Sequence, residues 1–450
     1  MTAAETIAEW AMSLRLDEVP EDARGAAKRH ILDGLGCALG AARLKEVPFA
    51  TAVATSFASP EEATVVGHGR RIPAPAAALA NGALMHALDF DDTHTAALVH
   101  VTSAVLPAAL AVAEERGVTG AELLTACIAG YEVVVRLGAA VVHGFHSRGF
   151  HATSVCGVFA SALAASRQMG LGASQTVDAL GVAGSAASGS LEFLNTGSST
   201  KQLHPGLGGM NGVVAARLAA EGASGPASIF EGEHGLFRSF AGTEVDASVI
   251  TADLGSRWET TEITIKPYPA CQLFHTSLDA LSSMREEIGD LEAIDSITFD
   301  IPDDSVPIIC EPVAVKREPR TSYEGKFSLP FSAASLLIEG DLGVDAFDSD
   351  RLRAPATLAV ARKIGYHTTH PSGAPADARG RVEVRLTDGR TIEGRAGKSK
   401  LTDEQVSAKF NSNCGEEFAG KDISEMVWSL DELEDVRSLL AATSPVAVAR

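Results

Sequence analysis

The chain has 450 residues, 46% of them hydrophobic and 21% charged, which supplies a large buried core and excludes an intrinsically disordered chain. Lys and Arg number 37 against 58 Asp and Glu, a formal net charge of −21. So acidic a chain disfavours nucleic acid and anionic membrane surfaces as partners.

Helical spacing dominates the first part of the chain. Between Pro20 and Gly40 the apolar positions Ile31, Leu32, Leu35, Ala38 and Leu39 fall on one helical face, and Leu124, Cys127, Ile128, Tyr131 and Val135 repeat that spacing. Further helices are predicted at 74–88, 104–115, 154–169, 175–187 and 209–220. Their many Ala and Gly residues let helices approach closely, so a compact all-helical bundle is expected. The pattern changes near residue 256. Glu262–Ile265 and Ser296–Ile301 alternate with period 2, and Arg381–Leu386 followed by Thr387-Asp388-Gly389 and Arg390–Glu393 reads as a hairpin. Segments 331–339 and 352–362 read as helix between these strands, and the tail from Thr402 returns to helix at 430–440. The expected organisation is a large all-helical domain over 1–260, with 402–450 packing back onto it, and a smaller α+β domain over 261–401.

Six Cys (37, 127, 156, 271, 310 and 414) form no CxxC pair, which excludes a disulfide scaffold and a zinc ribbon and fits a reducing cytoplasm. The segment MTAAETIAEW carries no leader signature, and the most apolar stretch, Ala152 to Ser166, is too short and too polar to span a bilayer. Familiar signatures fail. Gly206-Leu-Gly208-Gly-Met-Asn211 has Asn where a dinucleotide fingerprint needs Gly, and Gly397-Lys398-Ser399 ends like a P-loop but has Ile392 at its first position. No GxSxG or HExxH occurs.

Four clusters carry chemistry. The first is His86-Ala-Leu-Asp89-Phe-Asp91-Asp92-Thr93-His94, followed by His100. It reads as a helix end with capping and solvated acids, as a polar active-site loop, or as a set of metal ligands whose geometry nothing fixes. The second, His143, His146, Arg148 and His151, is locally basic and precedes a helix whose N-terminus favours anions, with Thr153 or Ser154 as candidate caps. The alternative is a surface loop with unrelated histidines. The third pairs Lys201 with His204 ahead of a Gly-rich stretch, a candidate carboxylate contact or an ordinary solvated Lys. The fourth is Lys266-Pro-Tyr-Pro-Ala-Cys271-Gln-Leu-Phe-His275, in which two Pro stiffen the backbone around a Cys that is either reactive or a buried structural thiol.

Taken in order, DFDDTH (89–94), RGFHATSVCG (148–157), TKQLHPG (200–206), KPYPACQLFH (266–275) and KFSLPF (326–331), preceded by Ile31–Gly40, resemble the MmgE/PrpD family over nearly the whole chain. That family includes 2-methylcitrate dehydratase, cis-aconitate decarboxylase and iminodisuccinate epimerase. The resemblance implies a mainly α protein with a smaller α+β lid domain, a homodimer, a site in the cleft between domains, and no metal or organic cofactor. Matched motif by motif, it implies Asp89, Thr93, His100, His151, Lys201 and Lys266 as catalytic residues. Arg148, His204 and His275 are candidate substrate contacts. The decarboxylase pattern carries His where Cys271 stands and Tyr where Phe331 stands, and the methylcitrate dehydratase pattern carries Glu at 271.

Family substrates are small di- or tricarboxylates, so the implied chemistry is proton transfer at carbon next to a carboxylate. In an acidic chain the developing charge needs placed cations, for which Lys201, Lys266, His151 and Arg148 are the candidates. The expected function is a cofactor-independent lyase of the dehydratase or decarboxylase type. The alternatives are an epimerase using Cys271 with a Lys or His as a two-base pair, and a non-catalytic polycarboxylate binder.

Overall fold

The computed structural model describes residues 1–196, 198–370, 379–397 and 400–446. Lys398 and Ser399 of the P-loop-like run therefore lie outside the described residues. The chain divides into two compact units, Met1–Ile265 with Thr402–Arg450, and Lys266–Leu401. Among the described residues, no helix is long and apolar enough to cross a membrane.

The first unit is built from α1 (Ala3–Ser13), α2 (Glu21–Arg43), α3 (Pro48–Ser56), α4 (Ala74–Ala87), α5 (Val101–Arg116), α6 (Gly120–Ala139), α7 (Gly144–Ser147), α8 (Ala152–Gln168), α9 (Ala173–Gly184), α10 (Phe193–Thr196) and α11 (Thr200–Ala220). Helix α5 is buried along almost its entire length, as is α8, so both are central rather than amphipathic surface helices. Helix α11 packs on α4, α5 and α8. Its approach to α4 is backbone to backbone. A Cβ on Gly206 would stand 2.2 Å from the Leu79 carbonyl oxygen, and one on Gly82 would stand 2.5 Å from the Gly206 Cα. Only glycines permit this closeness, which draws the start of α11 to the end of α4. The returning tail contributes the helices Asp403–Cys414, Gly420–Trp428 and Arg437–Ala442, and the first of these packs on α2.

Three expectations for this unit are corrected. It is not purely helical, because β1 (Ala63–Val65) and β2 (Arg70–Ile72) form a small antiparallel hairpin. Helix α11 begins at Thr200 rather than near 209, with Pro205 inside it and its glycines serving as packing sites rather than breaks. The alternating run Glu262–Ile265 is not a regular strand. It follows a short 3-10 turn (Glu259–Glu262) and makes a single antiparallel bridge, Thr93 to Thr264.

The second unit is α+β. Its sheet runs in the order β4 (Ile364–Thr369), β3 (Ile294–Pro302), β5 (Gly380–Leu386), β6 (Thr391–Ala396). Strands β3 and β4 are parallel, whereas β5 pairs antiparallel with both β3 and β6. Inward residues Ile297, Phe299, Val382 and Val384 meet the helices His275–Ser282 and Leu329–Glu339 in one apolar core. Phe331 is fully buried in that core. In the β5–β6 hairpin Gly389 takes φ 90°, the left-handed conformation that the turn requires.

Candidate active site

Three of the expected residues sit at the N-termini of three long helices. His100 is the N-cap of α5, His151 is the N-cap of α8, and Lys201 is the second residue of α11. These helices pack against one another within the first unit. Helix N-termini carry unsatisfied N–H groups and partial positive charge, so the arrangement favours an anion before any side-chain charge is counted. Neither Thr153 nor Ser154 caps α8. Thr153 lies inside the helix, and its hydroxyl accepts the His100 backbone N–H at 3.1 Å, linking the starts of α5 and α8.

The DFDDTH segment leaves the end of α4. Asp89 has φ 53°, a left-handed conformation that is costly for a residue with a Cβ and is held here by its surroundings. Its carboxylate receives the Lys201 ammonium in a close ion pair. Thr93 is fixed by the Thr264 bridge, with backbone bonds of 2.9 and 2.8 Å. Asp92 faces the other way. It accepts the Thr102 backbone N–H at 2.9 Å and stands 2.8 Å from His30 Nδ1. Below the loop, buried Lys409 of the returning tail donates to the Phe90 carbonyl at 2.8 Å, pairs with Asp33 at 2.6 Å, and lies over the Phe90 ring.

Asp91 is the hub of the site. Its Oδ2 accepts from Ser103 Oγ at 2.7 Å and from His86 Nδ1 at 2.8 Å. His100 Nδ1 lies 3.2 Å from the same oxygen, off the line of a full hydrogen bond. The His86 and His100 rings stand edge to face with centroids 4.4 Å apart, and the His151 centroid is 5.9 Å from the first and 6.2 Å from the second. His151 Nδ1 meets His204 Nδ1 at 3.0 Å, so one of these nitrogens donates and the other accepts. The His146 ring is 6.2 Å from that of His151.

Burial sets the charge of this cluster. It pushes His100 down to about 4, with the field of His86 and Lys201 adding to it and Asp91 opposing. Burial lowers His151 well below its ordinary value, helped by His86, Lys201 and His204. His146 and His204 are held at about 4, again chiefly by burial. Burial works against the Asp91 carboxylate, but the His86 and His100 rings outweigh it and keep Asp91 well below the carboxylate range. The expectation that His151 is a resident cation is therefore revised. At neutral pH His100 and His151 are uncharged imidazoles beside an ionised Asp91 and the Lys201–Asp89 ion pair.

Arg148 is exposed and stands apart from this buried group. Lys266, Cys271 and His275 belong to the second unit and are buried there. Cys271 donates its backbone N–H to the Lys326 carbonyl at 2.8 Å, and His275 Nε2 donates to the Ala270 carbonyl at 3.0 Å, bracing the backbone beside Cys271. Tyr268 packs edge-on against His275 and donates its hydroxyl to Asp279 at 2.9 Å. All six cysteines are free and buried.

Sequence reasoning passed over the roles of His86 and Asp91. Both stand in the first cluster, but no spacing rule separates Asp91 from Asp89 or Asp92. Their partition into three directions depends on the left-handed turn at Asp89.

A buried Asp–His–His hub beside a Lys–Asp pair, set at the N-termini of three packed helices, is the candidate site. The chain belongs to the MmgE/PrpD family: the MmgE/PrpD N-terminal domain matches residues 5–247 and the MmgE/PrpD C-terminal domain matches residues 268–432. It is an enzyme of the lyase type. It is 30% identical to a cis-aconitate decarboxylase of Aspergillus terreus over 96% of this chain and 94% of that protein. It is 27% identical to the cis-aconitate decarboxylase of Homo sapiens over 99% of this chain and 96% of that protein. A cis-aconitate decarboxylase-like protein of Aspergillus oryzae is also 27% identical, over 97% and 96%.

Proposed function

We propose that the chain is a lyase acting on a small tricarboxylate, with cis-aconitate the first candidate, and that His100, His151, Lys201, Asp89 and Thr93 act on it directly. The observation that carries this reading is the convergence of three helix N-termini on a buried group of histidines, of which His100 and His151 are held uncharged by burial. Such a site receives a polyanion through backbone dipoles and the Lys201 ammonium, then gains further positive charge by protonating histidines once the substrate's own charge is present.

The chemistry balances without a redox step. In the decarboxylation of cis-aconitate the bond to one carboxylate breaks and CO2 leaves. The freed electron pair becomes a new carbon–carbon double bond, and the pair of the old double bond moves to the carbon beside a remaining carboxylate. That carbon takes one proton. A protonated His100 or His151 donates it, with Asp91 holding His86 and the neighbouring His100 in place. Lys201 and the helix N-termini stabilise the negative charge that spreads onto the remaining carboxylate as the bond breaks. Thr93, anchored by its bridge, donates its hydroxyl to a substrate carboxylate.

Lys266 and Cys271 enter the proposal through the KPYPACQLFH motif and its resemblance to the family, not through geometry. A homodimer and a cytoplasmic setting belong to the same proposal, the latter supported by six free thiols. Proton NMR in heavy water tests the reading with citrate, 2-methylcitrate, cis-aconitate and iminodisuccinate. The expected result is loss of CO2 or water from a tricarboxylate with formation of an alkene product. Solvent exchange of an α-proton on iminodisuccinate without a new alkene would identify an epimerase instead. Tight binding with no turnover of any of the four acids would identify a binder.

A further inference from the structure

The same histidines present a second capacity, and it concerns metals. We infer that His86, His100 and His151 form a three-imidazole binding site for a divalent transition ion of the Zn2+ or Co2+ class, with Asp91 as its orienting carboxylate. One ring nitrogen from each of the three lies within 4.8 Å of the other two, and all three residues are buried. Tetrahedral ligation with bonds of about 2.0–2.1 Å places ligand nitrogens about 3.4 Å apart, so small ring rotations close the set. A second, independent observation points the same way. His86 commits Nδ1 to Asp91, which leaves its Nε2 buried with no hydrogen-bond partner. A buried, unpartnered imidazole nitrogen is costly, and a metal ion is the ligand that satisfies a lone pair there.

The surroundings suit an ion. Asp91 donating its charge through a histidine is the outer partner that metal-bound imidazoles use to fix tautomer and raise basicity. The Asp91 carboxylate adjoins two of the three rings, and Lys201, the nearby cation, is paired with Asp89. Three protein nitrogens leave one position open for water or a carboxylate oxygen. Imidazole ligands without thiolate select zinc, cobalt, nickel or copper over magnesium and calcium. The ion is not a cofactor of the proposed reaction. It would occupy lone pairs that the reaction uses, so occupancy blocks turnover; this last consequence alone rests on the proposed function.

Binding is read without turnover. The full chain, stripped with a chelator and exchanged into chelator-free buffer, is titrated with Co2+ and followed by visible absorption and calorimetry. The expected result is one ion per chain with the intense ligand-field bands of a four- or five-coordinate site. His86→Gln and His151→Gln should abolish those bands. Asp91→Asn keeps all three nitrogens and should weaken binding by roughly 10–100-fold. Circular dichroism of each variant establishes that it is folded. No Co2+ uptake by the folded wild-type chain overturns the inference. So does uptake that all three variants retain unchanged, which would place the ion on surface histidines.

Discussion

A site of buried, uncharged histidines that receives a polyanion should take up protons as it binds. The perturbation is the arrival of carboxylates beside His100, which burial holds at about 4. A unit charge about 4 Å from a ring, at an effective dielectric of about 20, contributes about 4 kcal/mol. At 1.36 kcal/mol per pH unit this raises the imidazole by about 3, from about 4 to about 7. His204, held at about 4, and His151 shift in the same direction. The assay is titration calorimetry with propane-1,2,3-tricarboxylate, which has neither the double bond nor the hydroxyl needed to react. Repeating it in buffers of different ionisation enthalpy gives the number of protons transferred. The expected uptake is roughly 0.5–1 proton per site at pH 7, larger at pH 6 and smaller at pH 8, and reduced in His100→Asn. Above neutrality the ligand is fully ionised, so the proton belongs to the protein. Binding with no proton uptake anywhere between pH 6 and 8 would refute the reasoning, because the histidines would then be charged beforehand or irrelevant to the ligand.

Other consequences are simpler to read. Lys201→Ala should lower kcat/KM on the accepted tricarboxylate by more than ~100-fold, since it removes charge stabilisation; steady-state kinetics checks this, and a near-wild-type value would remove Lys201 from the site. Asp91→Asn should lower kcat by about 100-fold with KM little changed, because it disorders His86 and His100 without touching substrate. A large rise in KM at unchanged kcat would instead make Asp91 a binding group. His100→Asn should narrow the stability gap to wild type as pH falls from 6.5 to 4, by up to about 3 kcal/mol in urea unfolding. The sign follows from protons. The unfolded chain protonates His100 below about 6.5 while the folded chain resists until about 4, so wild type loses stability over that window and the variant lacks this loss. The raised Asp33, held at about 6, titrates with the opposite sign in both proteins and cancels in the difference. A gap that stays constant with pH would show that His100 titrates normally in the fold.

Much of the fold was legible because apolar residues recur at helical spacing along the long helices, although several of these are buried on every side. Ile31, Leu35 and Leu39 stand four residues apart in α2, and the Asp388-Gly389 turn between alternating segments marks β5 and β6. What escaped was set by tertiary contact. Strand β4 (IGYHTT) has no alternation because only Ile364 is fully buried, and its parallel partner β3 is far away in sequence. The start of α11 hid behind Pro205 and Gly206, residues that read as breaks and serve as the close contact with α4. The site divides in the same way. Motif order indicated Asp89, Thr93, His100, His151 and Lys201, and in the first unit Asp89, His100 and His151 are buried, with the partly buried Lys201 paired to Asp89. Charge state was not legible. His146 and His151 beside Arg148 read as part of a basic patch, whereas burial pushes both imidazoles down and Arg148 is exposed.

The most direct test is to count solvent deuterons in the product. Cis-aconitate turned over in heavy water should yield a five-carbon unsaturated dicarboxylate carrying one deuteron on carbon for each CO2 released, as read by proton and carbon NMR, with product formation suppressed in His151→Gln. Release of CO2 with no deuteron on carbon, or unchanged turnover in that variant, would contradict protonation of carbon by the buried histidines.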